Sequence, residues 1–504
     1  ALLWVTNPIQ TNAVTYIVQR MTSLSVTFCL LSIIFYLRGR TSTSSTAENH
    51  SKAKKALNYT GSFCCFLLAV NCKEIAAIVP VLLLVHEIFF FFKNKKIPQK
   101  NIIFLAVGFS AFFLIVIYFF LGFNFIDRIL ASYSTRDFTL TERLLTQTRV
   151  VFHYMGLFLY PLADRFHLYY DTFPISKSFF SPITTVFSTL GIILWITAVF
   201  HFYKKNILIA FGLTGTLLTL LIESTIIPLE LVFEHRFYFP SVFFSLTLVL
   251  ILYTLASKYN ISPKIIFLFF TIFITTNILG TISRNKVWKD ELSFAMHEVQ
   301  TNPGSVRALV NVGQLLINNK RPLAAKHYLH KALEINPDDI ITLNNLVVLY
   351  SNPPFNNYTR TQQYIDRIIQ LVLSEKNKPT DNQVLYTISH YLYLNQRYRD
   401  SLTLLHAIEK YLLFPDLLLN IGKCNIQTGN FVEAEKYLKK ALQLEPANKT
   451  YQFSYALSIK DSHKLKAFNI VAKLMENPPE DKEEQESIKI LYSELKADIF
   501  PQNS

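Results

Sequence analysis

The stretch 422–446, GKCNIQTGNFVEAEKYLKKALQLEP, decides how the C-terminal part of this chain folds, because it recurs in outline at 313–337 as GQLLINNKRPLAAKHYLHKALEINP. Gly422, Ala434, Leu438, Ala441 and Pro446 stand at the same spacings as Gly313, Ala325, Leu329, Ala332 and Pro337. The small residues let two antiparallel helices approach closely, and the proline ends the second helix before the next unit begins. A helix pair of this kind cannot bury its apolar face alone. It stacks on its own copies, so the spacing predicts an α-solenoid.

The five positions match the pattern of the tetratricopeptide repeat, a unit of roughly 34 residues. Two weaker units lie between the clear ones. One begins near Ile340 and is interrupted by NPPFNN at 352–357, and the other begins near Asn382 with Ser389 at the glycine offset. The expected organisation is repeats over 305–448, a linker and capping helix over 282–304, and C-terminal capping helices over 449–504. Within 304–500 no nucleophile, metal cluster or phosphate loop stands out, so the expected role of the repeats is to bind a protein partner or acceptor.

Upstream of the repeats the composition changes. The 504 residues are 51% hydrophobic, with a mean hydropathy of +0.27. The apolar residues concentrate in 1–281, in uncharged runs close to the roughly 20 residues that a helix needs to cross a bilayer. Candidate spans fall near 14–37, 57–72, 75–92, 101–121, 182–203, 206–227, 238–256 and 263–281. The fold class expected is therefore all-α: a polytopic transmembrane helix bundle followed by a tetratricopeptide-repeat α-solenoid.

Lys and Arg cluster in loops 38–56 and 93–100, at Lys204 and Lys205, and at Lys258 and Lys264. Positive loops stay in the cytoplasm. Alternation then places the repeats on the non-cytoplasmic side, the periplasm or exterior in a bacterium and the lumen in a eukaryote. It also makes 145–160, which carries Arg149 and His153, an interfacial helix rather than a span. The net charge of +14 is explained by these loops, which argues against nucleic-acid binding. The five cysteines lack metal or redox spacing and read as buried, inert thiols.

Four groups of polar residues stand out in or beside the apolar segments. Arg20 lies inside an otherwise apolar run, where a mid-membrane charge faces a cavity or partner, or snorkels to the surface. Lys73 and Glu74 occupy a tight turn and read either as a site or as a solvated pair. Arg149 and His153 share a helical face, suited to lipid headgroups or to clamping a phosphate. Glu223, Glu230, Glu234, His235, Arg236 and Tyr238 form the densest set, three adjacent ionisable residues flanked by apolar sequence.

At these residues a family becomes recognisable. NPIQTNAVTYIVQRM at 7–21, CKEI at 72–75 and ELVFEHRFYFP at 230–240 resemble the transmembrane and tetratricopeptide-repeat-containing proteins, which are related to protein O-mannosyltransferases and other multispanning lipid-linked-sugar glycosyltransferases. Arg284, Trp288 and Asp290 at the junction with the repeats are also similar. The resemblance implies transfer of a mannose-like sugar from a polyprenyl-phosphate donor to an acceptor hydroxyl, with no separate cofactor. It also implies an acidic pair in a loop expected upstream of Ala1, so the presumed catalytic base lies outside this sequence. Arg20, Lys73, Glu74, Arg149, His153, Glu230, Glu234, His235, Arg236 and Tyr238 become the candidates for holding donor phosphate or substrate. The competing expectation is a non-catalytic, membrane-anchored repeat scaffold.

Overall fold

A computed structural model describes residues 1–41, 48–92, 125–374 and 382–500. The basic loop expected at 93–100 and the span expected at 101–121 lie outside the described residues. The chain divides into two compact units, Ala1–Val312 and Gly313–Ser504. The described secondary structure is helical, apart from one isolated antiparallel bridge between Ser178 and Ser181.

The first unit contains α1 (Arg20–Thr41), α2 (Glu48–Cys72), α3 (Val79–His86), α4 (Leu140–Leu159), α5 (Thr184–Lys205), α6 (Ile207–Leu221), α7 (Pro240–Lys258), α8 (Pro263–Val287) and α9 (Glu291–Thr301). Five helical stretches among the described residues are long and apolar enough to cross a membrane: Ile17–Thr41, Glu74–Phe92, Thr184–Lys205, Pro240–Lys258 and Pro263–Val287. Their outer faces stay apolar, as at Phe187, Leu194 and Phe200 on α5 and Phe267, Leu268 and Leu279 on α8, all exposed.

Helices in this unit touch through small and hydroxylated residues. Ser32 and Ser62 each donate a 2.8 Å hydrogen bond to the other's carbonyl across α1 and α2. Where α6 crosses α7, a Cβ on Gly212 would lie 2.2 Å from Thr247 Oγ1 and 3.2 Å from the carbonyl of Phe243, so only glycine permits this approach.

Four helices differ from the sequence expectation: the run expected as a span at 57–72 begins at Glu48, carries Lys52, Lys54 and Lys55, and is not among the five stretches above. The run 14–37 is not one helix, because the chain extends at Tyr16 and passes through a 3-10 turn before α1 starts at Arg20. The run 206–227 is helical only to Leu221. The stretch expected to start at 145 begins at Leu140, fixed by a capping box in which Thr139 and Glu142 satisfy each other's backbone amides.

Helix α10 (Val306–Asn318) runs across the division, and the second unit continues as α11 (Pro322–Ile335), α12 (Ile340–Ser351), α13 (Tyr358–Leu373), α14 (Asn382–Leu394), α15 (Tyr398–Glu409), α16 (Pro415–Gln427), α17 (Phe431–Leu444), α18 (Lys449–Ser458), α19 (Lys464–Glu476) and α20 (Lys482–Ile499). Gly313 and Gly422 sit where a Cβ would fall 2.6 Å from Leu329 and 2.4 Å from Leu438, which explains the recurring small residue. The turns within three pairs are built alike. Lys320, Gln396 and Gly429 adopt positive φ, and the amides of Arg321, Arg397 and Asn430 close back on the carbonyls of Leu316, Leu392 and Asn425. One buried apolar core runs through this unit, from Leu343 and Ile365 through Leu404 and Leu438 to Leu491.

Candidate functional site

The polar residues of the first unit gather where the turn after α2, the segment 222–239 and the N-terminal turns meet. Helix α6 stops at Leu221 because the next residues must present their carbonyls to Arg143. Arg143 donates to Thr225 O at 2.8 Å, to Glu223 O at 2.8 Å and to Leu229 O. It is fully buried and ties α4 to this segment.

Beside it, Glu223 and Arg236 form a buried group with Lys73. Glu223 Oε1 lies 3.3 Å from Lys73 Nζ and 3.7 Å from Arg236 Nε. Lys73 also donates to Thr22 Oγ1 at 3.0 Å. Arg236 donates to the carbonyl of Glu230, and its guanidinium stands 5.2 Å from the Phe233 ring centroid. His235 Nδ1 lies 3.2 Å from Asn12 Oδ1. Burial, with Lys73 and Arg236 nearby, pushes His235 well below the usual imidazole range and keeps it neutral. Two buried cations, Lys73 and Arg236, thus share one buried carboxylate, and Arg143 lies beside them with its hydrogen bonds on backbone carbonyls.

A second group lies at the far side of Glu234. Its carboxylate accepts from Tyr170 Oη at 3.0 Å and stands 3.9 Å from the guanidinium of Arg284, which is itself 3.8 Å from Glu298. All three ionisable groups are buried. Burial raises Glu234 to about 7, against the pull of Arg284 and with help from Glu298. Glu298 accepts from the amides of Leu168 at 2.9 Å and Tyr169 at 3.5 Å. Glu230 faces outward instead. Burial works to raise its carboxyl, but Arg307 at 3.3 Å and Arg136 at 2.9 Å outweigh it and hold the group below its ordinary range.

Not all the residues singled out in the sequence meet here. Arg20 is exposed at the first turn of α1, donating to Val14 O at 3.1 Å, because the break at Tyr16–Gln19 moves it to a helix end. Lys73 and Glu74 do not act as a pair, since the extended backbone at Lys73 turns its side chain inward to Glu223 while Glu74 stays exposed. Arg149 donates to Pro174 O at 2.6 Å, over the Phe173 ring. His153 packs edge-on against Tyr170 and Phe173, and burial lowers it to about 4. Tyr238 packs on Trp4, whose indole donates to Tyr238 O at 3.2 Å and Ser241 Oγ at 2.9 Å.

Arg143, Thr22, Tyr170 and Glu298 were not singled out by sequence reasoning. The capping box at 139–142 was the available signal for Arg143, since it moves the helix start upstream and puts that arginine on the buried face. Below Trp4 opens an apolar cavity of about 470 Å³ lined by Leu3, Ile33, Leu82, Phe211, Phe243 and Val249, with His86 at its edge. No group of three or more His, Cys, Asp or Glu among the described residues could hold a metal ion.

The fold is thus all-α, with an apolar helical unit preceding a helical-repeat unit. Models of the tetratricopeptide repeat match residues 306–339 and 415–448, so the chain carries tetratricopeptide repeats. Among solved structures it is similar to Pseudomonas aeruginosa pilF, with 17% identity over 39% of this chain and 93% of that one and a TM-score of 0.27. It is also similar to yeast Tom70, with 12% identity over 94% of this chain and 97% of that one and a TM-score of 0.28. A third similar structure is the P58(IPK) TPR domain, with 14% identity over 62% and 84% of the two chains and a TM-score of 0.20. Comparison with curated proteins gives no significant match.

Proposed function

We propose that this chain is a membrane-embedded, glycosyltransferase-like protein that binds a polyprenyl-phosphate sugar and hands the sugar to an acceptor, while its repeats hold a protein partner or acceptor on the non-cytoplasmic side. The observation that carries this reading is the uneven charge of the buried group. Lys73 and Arg236 share the single carboxylate of Glu223 there, and the buried guanidinium of Arg143 beside them is held by backbone carbonyls without a carboxylate partner of its own among the described residues. Unneutralised buried cations are costly, and a phosphate supplies the missing negative charge through charge-assisted hydrogen bonds. The cavity beneath Trp4 is apolar, and Trp4 on its wall donates to the carbonyl of Tyr238, two residues beyond Arg236, which suits an isoprenoid chain attached to that phosphate. Five helices long and apolar enough to cross a bilayer, and the resemblance to lipid-linked-sugar glycosyltransferases, support the membrane setting.

A membrane-anchored repeat scaffold is the second reading, favoured by the contacts already made within the group: Glu223 reaches both Lys73 and Arg236, and Arg143 is satisfied by carbonyls. A binding measurement separates the two. The purified chain in detergent is melted with polyprenyl phosphate and with the uncharged polyprenol. Stabilisation by the phosphate alone, lost in Lys73→Met and weakened in Arg236→Lys, is the expected result. Equal stabilisation by both lipids, or by neither, removes the phosphate site and leaves the scaffold.

A further inference from the structure

Residues 168–172 form an irregular strap within the first unit, bonded on both sides. On one side it meets α9 and the chain that enters the first repeat. The amides of Leu168 and Tyr169 donate to Glu298 at 2.9 and 3.5 Å, Asn302 Nδ2 donates to Tyr169 O at 3.2 Å, and Thr172 Oγ1 donates to Asn302 Oδ1 at 3.1 Å. Asp171 accepts from Ser305 Oγ at 2.6 Å and from the amide of Arg307 at 3.2 Å. Tyr170 turns the other way. Its hydroxyl donates at 3.0 Å to Glu234, two residues before Arg236.

A second route reaches the same segment. Arg307 lies in the opening turn of α10, inside the stretch 306–339 that matches the repeat model, and its guanidinium stands 3.3 Å from Glu230. Arg136 also holds that carboxylate, at 2.9 Å, and the carbonyl of the same glutamate accepts from Arg236. Residues 222–233 form turns and extended chain rather than helix, so side chains from other elements fix where Arg236 is held. Helix α4 supplies some of them, through Arg143 and through Gln147, which donates to Leu231 O at 2.9 Å. The opening turn of the first repeat supplies the links at Glu230 and, through Asp171 and Tyr170, at Glu234.

We infer that Arg307 and Asp171 are positioning residues for Arg236, so the phosphate site of the apolar unit is complete only with the opening turn of the first repeat in place. This rests on the phosphate reading of the buried group, and two measurements on the full chain in detergent keep the two claims apart. The first is the affinity for polyprenyl phosphate. Arg307→Ala and Asp171→Ala should each weaken it about three-fold, the scale of a half-exposed polar contact, and about ten-fold together because the two routes share no side chain. Arg307→Lys should recover most of the loss, and melting without ligand should stay close to wild type because α4 still holds the segment. The second is hydrogen–deuterium exchange without ligand, in which the double variant should exchange faster at residues 230–237 and unchanged in α1 and α2. Unaltered exchange at 230–237 overturns the link whatever the ligand does, and faster exchange with unaltered affinity overturns the positioning role. A wild-type chain that binds no polyprenyl phosphate strikes the phosphate reading and the positioning role with it, even where the exchange result keeps the link.

Discussion

At the scale of single residues the charged centre of the first unit is held by geometry that one substitution at a time can expose. Glu234 is the clearest case, because its carboxyl is raised to about 7 while in the unfolded chain it titrates near its ordinary value of about 4.5. Between those limits the folded protein keeps a proton that the unfolded chain has lost, so this residue makes stability fall as pH rises from about 4.5 through about 7, by an amount on the order of 3 kcal/mol. His167, lowered to about 4 chiefly by burial, works in the opposite direction over an overlapping window. Comparing wild type with Glu234→Gln in detergent melts at pH 5 and pH 8 isolates the carboxyl. The variant is expected to lose less stability than wild type on going to pH 8, and parallel pH profiles would show that Glu234 keeps no proton. The sequence revealed Glu234, His235 and Arg236 because three ionisable residues stand together between apolar runs. It concealed Arg143 and Glu298, each of which sits in an ordinary amphipathic helix and meets partners more than eighty positions away along the chain.

Among elements, the contact most sensitive to side-chain volume is the crossing of α6 and α7. Gly212→Ala places a methyl group against Thr247 Oγ1 and the carbonyl of Phe243, and overpacking of this kind costs roughly 1–3 kcal/mol. Adding Thr247→Ala removes the nearer obstacle but leaves the carbonyl, so the double variant should recover part of the lost melting temperature. A Gly212→Ala protein that melts like wild type would mean the helices separate there at little cost. The long apolar runs at 182–203, 238–256 and 263–281 were legible from length and hydropathy, since those helices need little from the rest of the fold. The run 206–227 was read too long because hydropathy does not register the demand of Arg143 for carbonyls, which ends that helix at Leu221. Arg20 was placed inside a helix for a related reason: nothing in the apolar pattern marks the extended turn at Tyr16.

For the whole molecule, the proposed orientation makes a direct experimental statement. In a background with the native cysteines replaced by alanine, a cysteine at Asn448 should react with a membrane-impermeant thiol reagent in intact cells, whereas one at Lys205 should react only after permeabilisation. Labelling at Lys205 without permeabilisation reverses the orientation. The repeats were legible because their spacing follows from close packing of two helices, a constraint that acts within a few tens of residues. Where the two units divide was not legible. The division at Val312 and Gly313 falls inside α10, after that helix has anchored its first turn: Ser305 donates to Asp171 at 2.6 Å, the amide of Arg307 to the same carboxylate at 3.2 Å, and the Arg307 side chain reaches Glu230. Exchange of genetic modules at the first residue of the repeat pattern would therefore carry away side chains that the upstream unit uses. A foreign repeat array could be joined without loss only if the recombination point lay beyond Arg307, so the opening half-turn of the first repeat is inherited with the apolar part of the protein.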